Sequence, residues 1–296
     1  MDLPRIIIAG ANSGVGKTTL TLGIISALRK RGVNVQAFKA GPDYIDPTYH
    51  SMASGKACVN LDSWLLPKDA VMELFTRRAK DADFSVIEGV MGLYDGLKDT
   101  EFGSTAHLAK MLNCPVILIL DARSMSRSAA AAALGYKEFD RKVNIAGIIL
   151  NNIASVNHYN YITSAVEREA RIPVLGCLPK DPDMKLSERH LGLVPLEEKR
   201  LSSGFCKSLT RRVEDHIDLV NILKIGRKAG QLSCSPKMIF GRVPRKSRVT
   251  IALAKDEAFS FYYQDNLDIL KHLGADIVTF SPLRNRELPE GVDGLY

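Results

Sequence analysis

Residues Ala11 to Thr19, ANSGVGKTT, stand between an apolar run, Ile6-Ile7-Ile8-Ala9, and a helix-like run from Leu20 to Arg31. The spacing fits a phosphate-binding loop with Ala11 in the place of the usual first glycine and Gly16-Lys17-Thr18 at its end. Glycines let successive backbone N–H groups curl around a triphosphate, and the following helix offers its positive N-terminal end. Asn12, Ser13, Gly14, Val15 and Gly16 therefore read as a cradle for ATP, with Thr19 behind them. Lys17 is expected to reach the β- and γ-phosphates, and the Thr18 hydroxyl to bind Mg2+. A ligand-free glycine turn has a similar composition. The strand before and the helix after supply the context in which the pattern binds nucleotide.

The composition around that loop is ordinary for a globular chain: 296 residues, 46% hydrophobic and 25% charged. A formal net charge of +7 favours anionic ligands. The five cysteines are odd in number and show no CxxC spacing, so a reducing, cytoplasmic setting is expected. Residues 1–5 run straight into a strand, which leaves no room for a signal peptide. No apolar run approaches the roughly 18 residues of a membrane span.

Strand and helix patterns alternate along the chain. After the loop, Leu20, Ile24, Ile25 and Leu28 lie at helical spacing, and Val33 to Phe38 reads as the second strand. At its carboxyl end comes KAGPDYIDP, Lys39 to Pro47, read as a stiff loop carrying Asp43, Tyr44 and Asp46. Open α/β sheets bind ligands at this end of their strands. Lys68 to Arg78 is helical, with Pro67 at its start. Phe84 to Ile87 is a strand that ends in EGVMGLYDG, Glu88 to Gly96. Glu88 sits where phosphate-loop enzymes hold a second magnesium ligand, and its neighbouring glycines let a bulky ligand approach.

Pro115 to Leu120 is completely apolar, as in a strand buried on both faces. The run Ala129 to Ala133 reads as tight helix–sheet packing. Ile145 to Leu150 is a strand ending in Asn151-Asn152, and the Asn151 amide could read a purine edge or only satisfy its loop. Tyr161 to Arg171 is a helix and Val174 to Leu178 a strand. The fold class is therefore α/β with a mostly parallel sheet. Arg189 and His190 could clamp an anion before a long helical tract, Leu196 to about Lys228. Residues 230–246 lose periodicity and read as a solvated tether. The basic residues there lack interleaved aromatics, which argues against nucleic acid. Val249 to Leu253, Tyr262 to Leu273 and Asp276 to Phe280 form a strand, a helix and a strand. That unit is too small for a core of its own.

Taken together, ANSGVGKTT, FKAGPDYIDP, EGVMGLYDG, ERHLGLV, AKDEAFSFYYQDNL and FSPLRNRELPEGVDGLY resemble the cobyrinate a,c-diamide synthase family. Those are ATP-dependent tetrapyrrole amidases, and the resemblance spans essentially the whole chain. The Ni-sirohydrochlorin a,c-diamide synthases share the layout, and nothing in the residues separates the two. The first part also resembles dethiobiotin synthetase.

The resemblance implies a phosphate-loop domain over residues 1–229, a linker over 230–247 and the start of a class I glutamine amidotransferase-like domain over 248–296. It stops at DGLY, before the nucleophile of such a domain. None of the five cysteines takes that role, so the expectation for this chain is amide formation from ammonia and none from glutamine. The implied partners are an anionic tetrapyrrole and a nitrogen donor, with a homodimer left open and no nucleic acid or membrane.

Within the cluster, Lys17 and Lys39 are assigned to the transferring phosphate and Thr18, Asp43 and Glu88 to magnesium. Asp46, Tyr44, Tyr94 and Asp95 face the substrate, with Asp46 and Asp95 as catalytic groups. A partitioning-type nucleotide switch is the rival class. Such proteins usually carry a lysine where Asn12 stands. A tetrapyrrole carrier without ATP turnover is a third reading.

Overall fold

Alternate residues of the central strands face two separate apolar layers, and the parallel direction of the strands places their carboxyl-end loops along one edge. The computed structural model describes residues 1–181, 184, 186, 188–189, 192–196, 198, 201–233, 237–241 and 249–296. Its first part runs β1 (Arg5–Gly10), α1 (Lys17–Lys30), β2 (Val35–Ala40), α2 (Asp46–Ser54), β3 (Val59–Leu61), α3 (Lys68–Ala79) and β4 (Phe84–Glu88). It continues through α4 (Thr105–Met111), β5 (Val116–Asp121), α5 (Ser128–Phe139), β6 (Ile145–Ile153), α6 (Val156–Glu169) and β7 (Val174–Pro179). The seven strands form one parallel sheet in the order β3-β2-β4-β1-β5-β6-β7. Ile7 and Ala9 of β1 join Phe38, Phe75 and Leu118 on one face, while Ile6 and Ile8 join Leu20, Ile24 and Val213 on the other. Period-two alternation explains that division. A sheet covered on both faces explains why β5 is apolar from Val116 to Leu120.

After β7 come two short antiparallel strands, β8 (Glu188–Arg189) and β9 (Gly192–Leu193), then α7 (Ser203–His216) and α8 (Leu219–Arg227). The single tract expected from Leu196 to Lys228 is thus two helices. Ile217 leaves the first to bridge Gly176, and Asp218 starts the second by accepting from the Asn221 N–H. A last unit holds β10 (Val249–Ala254), α9 (Gln264–His272), β11 (Ala275–Phe280) and β12 (Gly294–Leu295), with the parallel order β11-β10-β12.

Other expectations change as well. KAGPDYIDP is not all loop, because Asp46 opens α2 with Pro47 in its first turn, where a missing N–H costs nothing. β3 and α4 are additional elements. The expected helix from Tyr161 begins instead at Val156, after Ser155 accepts from the His158 N–H.

The stretch read as a tether is partly docked. Leu232 and Phe240 are buried in the main apolar layer, and the Arg5 guanidinium donates to the Gly230 carbonyl. Glu73 of α3 accepts three successive backbone N–H groups, from Met238, Ile239 and Phe240, at 2.6, 2.7 and 2.9 Å. Arg77 lies 3.8 Å over the Phe240 ring. The last unit touches the first through an Arg78–Asp268 ion pair and the stacked rings of Tyr44 and Phe261. Among the described residues, no helix is long and apolar enough to cross a membrane.

Candidate functional site

The loop between β1 and α1 places its two glycines in the left-handed region, Gly14 at φ 74 and Gly16 at φ 97. A side chain at Gly16 would also collide with Asn151, whose Nδ2 would lie 2.5 Å from its Cβ. Gly16 caps α1 without any side-chain hydrogen bond, and the first turn of α1 holds no acidic residue. The helix N-terminus is left to an anion. Lys17 turns back over the loop, donating to the carbonyls of Met91 at 2.6 Å and Asn12 at 3.2 Å. Met91 holds φ 48, a conformation that costs a non-glycine residue and presents that carbonyl.

Beside the loop, the ends of β2 and β4 and the start of α2 bring charged groups together. Thr18 Oγ1 donates to Glu88 Oε1 at 2.8 Å and to Asp46 Oδ2 at 3.3 Å. Lys39 Nζ lies 2.6 Å from Asp46 Oδ2, 3.2 Å from Glu88 Oε1 and 3.5 Å from Asp43 Oδ2. It also donates to the Gly89 carbonyl. Burial alone would favour a neutral Lys39, but Glu88, Asp46 and Asp43 outweigh it and raise its pKa. Burial also acts to raise Glu88, yet Lys39 and then His50 hold it down at about 2. Asp46, by contrast, is pushed up to about 7 by burial and by the Glu88 charge.

Asp46, not Asp43, shares the Thr18 hydroxyl with Glu88. Asp43 Oδ1 is occupied by the N–H groups of Ile45 and Asp46 at the entry to α2. Lys39 is an ion-pair hub under the carboxylates. The Asn151 amide makes two local contacts beside the loop. Its Nδ2 donates to the Val15 carbonyl, and its Oδ1 accepts from the Asn152 N–H.

On the far side of the loop, Asp95 Oδ2 accepts from the Gly92 N–H, and a Cβ at Gly92 would lie 2.4 Å from that oxygen. The Tyr94 hydroxyl donates to the Tyr136 carbonyl, and the two rings stack. Tyr44 stacks on Phe261 with ring centroids 5.3 Å apart, so it meets the last unit. Asn12 and Ser13 are exposed at the loop tip. Arg189 lies in β8 with its side chain outside the described residues, and His190 lies outside them entirely.

Three contributors escape the sequence reading. His50 of α2 meets Glu88 Oε2 through Nε2. The Tyr136 hydroxyl donates to the Ala11 carbonyl at 2.5 Å and braces the loop from α5. A cleft of 490 Å³ beside the loop is lined by Gly14, Gly16, Thr19, Arg123, Lys180 and Arg212 among others. Lys17 and Thr18 also line that cleft, whereas a more open cavity between Trp64 and Phe102 is lined by neither.

The oxygens of Thr18, Asp46 and Glu88 are a hard donor set of the kind Mg2+ takes. Among the described residues, no three His, Cys, Asp or Glu side chains form a metal cage. Mg2+ bound with a nucleotide needs none, because phosphates and waters complete its shell.

Such a loop, on a parallel sheet with an acidic residue at the end of β4, defines a phosphate-loop nucleotide-binding α/β domain. The family model of the CobQ/CobB/MinD/ParA nucleotide binding domain matches residues 6–194, and the chain belongs to that family. Curated relatives include the cobyrinate a,c-diamide synthase of Listeria monocytogenes serotype 4b, 49% identical over 99% of this chain and 64% of that one. The protein of the same name from Dehalococcoides mccartyi is 47% identical over 100% of this chain and 64% of its own length. The one from Methanosarcina barkeri is 44% identical over 100% of this chain and 62% of its own. The chain therefore spans a little under two thirds of these relatives.

Proposed function

We propose that this chain is the ATP-dependent, carboxylate-activating part of a cobyrinate a,c-diamide synthase. The observation that carries the reading is the convergence of Thr18, Asp46, Glu88 and Lys39 beside the uncapped N-terminus of α1, in a chain 49% identical to a protein of that name. A carboxylate is a poor acyl donor, because its leaving group would be oxide. Transfer of the γ-phosphoryl of ATP to a carboxylate oxygen gives an acyl phosphate and ADP. Ammonia then attacks the acyl carbon, the bond to the phosphate oxygen breaks, and amide and inorganic phosphate leave.

For such a reaction the protein mainly positions reactants and stabilises charge. The loop N–H groups and Lys17 hold the phosphates, and Lys17 exchanges the Met91 and Asn12 carbonyls for them. Thr18, Asp46 and Glu88 would hold magnesium, which when bound neutralises charge between the β- and γ-oxygens. Lys39 holds the crowded carboxylates in place and favours their ionised forms against burial and mutual repulsion. Asp95, exposed beside Gly92, faces the acceptor side. Residues 1–229 are the activating part, and residues 248–296 begin an amidotransferase-like unit that would draw nitrogen from glutamine in a full-length protein.

Ni-sirohydrochlorin fits the same chemistry as an alternative acceptor, since it also presents acetate side chains. The test is amide product by mass, with ATP, an ammonium salt and either pigment, for the parent chain and Lys17→Ala. Product from cobyrinate is expected with the parent and none with the variant. Equal product from both would remove the assignment of Lys17, and product from Ni-sirohydrochlorin alone would exchange the substrate.

A further inference from the structure

His50 lies one helical turn after Asp46 on α2, and its ring is fully buried. Nε2 meets Glu88 Oε2, whereas Nδ1 has no hydrogen-bond partner among the described residues. A buried polar atom without a partner costs roughly 1–3 kcal/mol. An apolar side chain of similar volume would fill the same space without that cost, so packing alone does not account for an imidazole here.

What the ring does is divide the two oxygens of Glu88. Oε2 is held by His50, and Oε1 is left to Thr18 at 2.8 Å and Lys39 at 3.2 Å. The last torsion of a glutamate side chain is soft and broad, so an unheld carboxylate samples many orientations. We propose that His50 is a positioning residue that fixes Glu88 Oε2 and thereby keeps Oε1 aimed at the Thr18 hydroxyl and the metal of a bound Mg-nucleotide. The inference rests on the reading of Thr18, Asp46 and Glu88 as the magnesium side of the site. Its physical basis is general: carboxylates that ligate metals are hydrogen-bonded from behind, and losing that support costs about 10–100-fold in metal affinity. The ring meets Oε2 while Thr18 meets Oε1, so His50 acts through the carboxylate and does not occupy the oxygen assigned to the metal.

A fluorescent ATP analogue titrated with the full chain, first in EDTA and then across a Mg2+ series, tests this without relying on turnover. His50→Leu is expected to bind the analogue in EDTA within about twofold of the parent, yet to need about 10-fold or more Mg2+ for half-maximal enhancement of binding. His50→Gln keeps an N–H of similar reach and restores most of the shift. His50→Asn is polar but too short to hold Oε2, so it repeats the His50→Leu result if the leucine variant does not fold. A parental Mg2+ midpoint in His50→Leu or His50→Asn overturns the proposal. So does an affinity loss equal in EDTA and in Mg2+, which would be packing alone. Glu88→Gln run in parallel separates the premise from the inference: a parental midpoint there removes the metal assignment itself, and the proposal with it.

Discussion

Lys39 Nζ sits 2.6 Å from Asp46 Oδ2, and that contact ties the end of β2 to the first turn of α2. The lysine is almost wholly buried and also faces Glu88 and Asp43. Its charge is the nearest compensation for three carboxylates, which would otherwise repel one another in a poorly solvated site.

Lys39→Met keeps most of the volume and removes the charge. Breaking a buried pair by deleting one partner costs about 3–5 kcal/mol, so the denaturant midpoint should fall clearly in EDTA. A divalent cation can replace part of the missing charge, so Mg2+ should recover more stability in the variant than in the parent. An equal response of both proteins to Mg2+ would show that the carboxylates do not share that charge.

A second prediction concerns the segment read from sequence as a free tether. Glu73 collects the N–H groups of Met238, Ile239 and Phe240, and Arg77 covers the Phe240 ring. Glu73→Ala leaves three buried or half-buried donors unpaired and should cost about 2–3 kcal/mol. Hydrogen exchange should rise at residues 238–240 while the sheet amides stay protected. Parental protection there would mean the carboxylate does not hold the segment.

The loop and the sheet were legible because their signals are local. Ile6 to Ala9 and Val116 to Leu120 are continuous apolar runs, and Glu88 directly follows Phe84 to Ile87, a run broken only by Ser85. The site around His50 was not, since it depends on Asp46 and His50 lying one turn apart on a helix. DYIDP is rich in turn-forming residues, and only Pro47 in the first turn hints that α2 starts there. β3, with three residues, is too short for alternation to show. Phe240 ends a three-residue apolar run, Met238-Ile239-Phe240, in a basic stretch too short to show periodicity, so only its contacts with Glu73 and Arg77 reveal that it is buried. Asn151 occupies the expected place and donates to the Val15 carbonyl, a tertiary contact that no local pattern encodes.

Tyr136→Phe tests the brace behind the phosphate loop. The hydroxyl donates to the Ala11 carbonyl, while the Tyr136 carbonyl accepts from Tyr94. Losing one such bond should cost about 1 kcal/mol of stability. The loop would be less preorganised, so affinity for the fluorescent ATP analogue should fall several-fold, in EDTA and in Mg2+ alike. That pattern differs from the Mg2+-specific shift expected of His50. Unchanged affinity would limit Tyr136 to a structural role.

The docked helix α9 supplies a pH-dependent prediction far from the metal side. Asp265, in its first turn, is buried, and burial followed by the neighbouring Asp268 pushes its pKa up to about 7, against the opposing pull of Arg78 and Arg77. An unfolded chain would titrate this carboxyl near its ordinary value of about 3.9. Between about pH 4 and 7 the folded state therefore binds more protons than the unfolded one, and this group lowers stability as pH rises through that window. Above it the cost is constant; below it the cost is absent. Asp265→Asn removes the charge at nearly constant volume, so the variant should gain on the parent between pH 5 and pH 8, by roughly 1–3 kcal/mol. Denaturant midpoints of both proteins at the two pH values measure this directly. If the difference between variant and parent does not change with pH, Asp265 ionises in the folded chain as it does in the unfolded one.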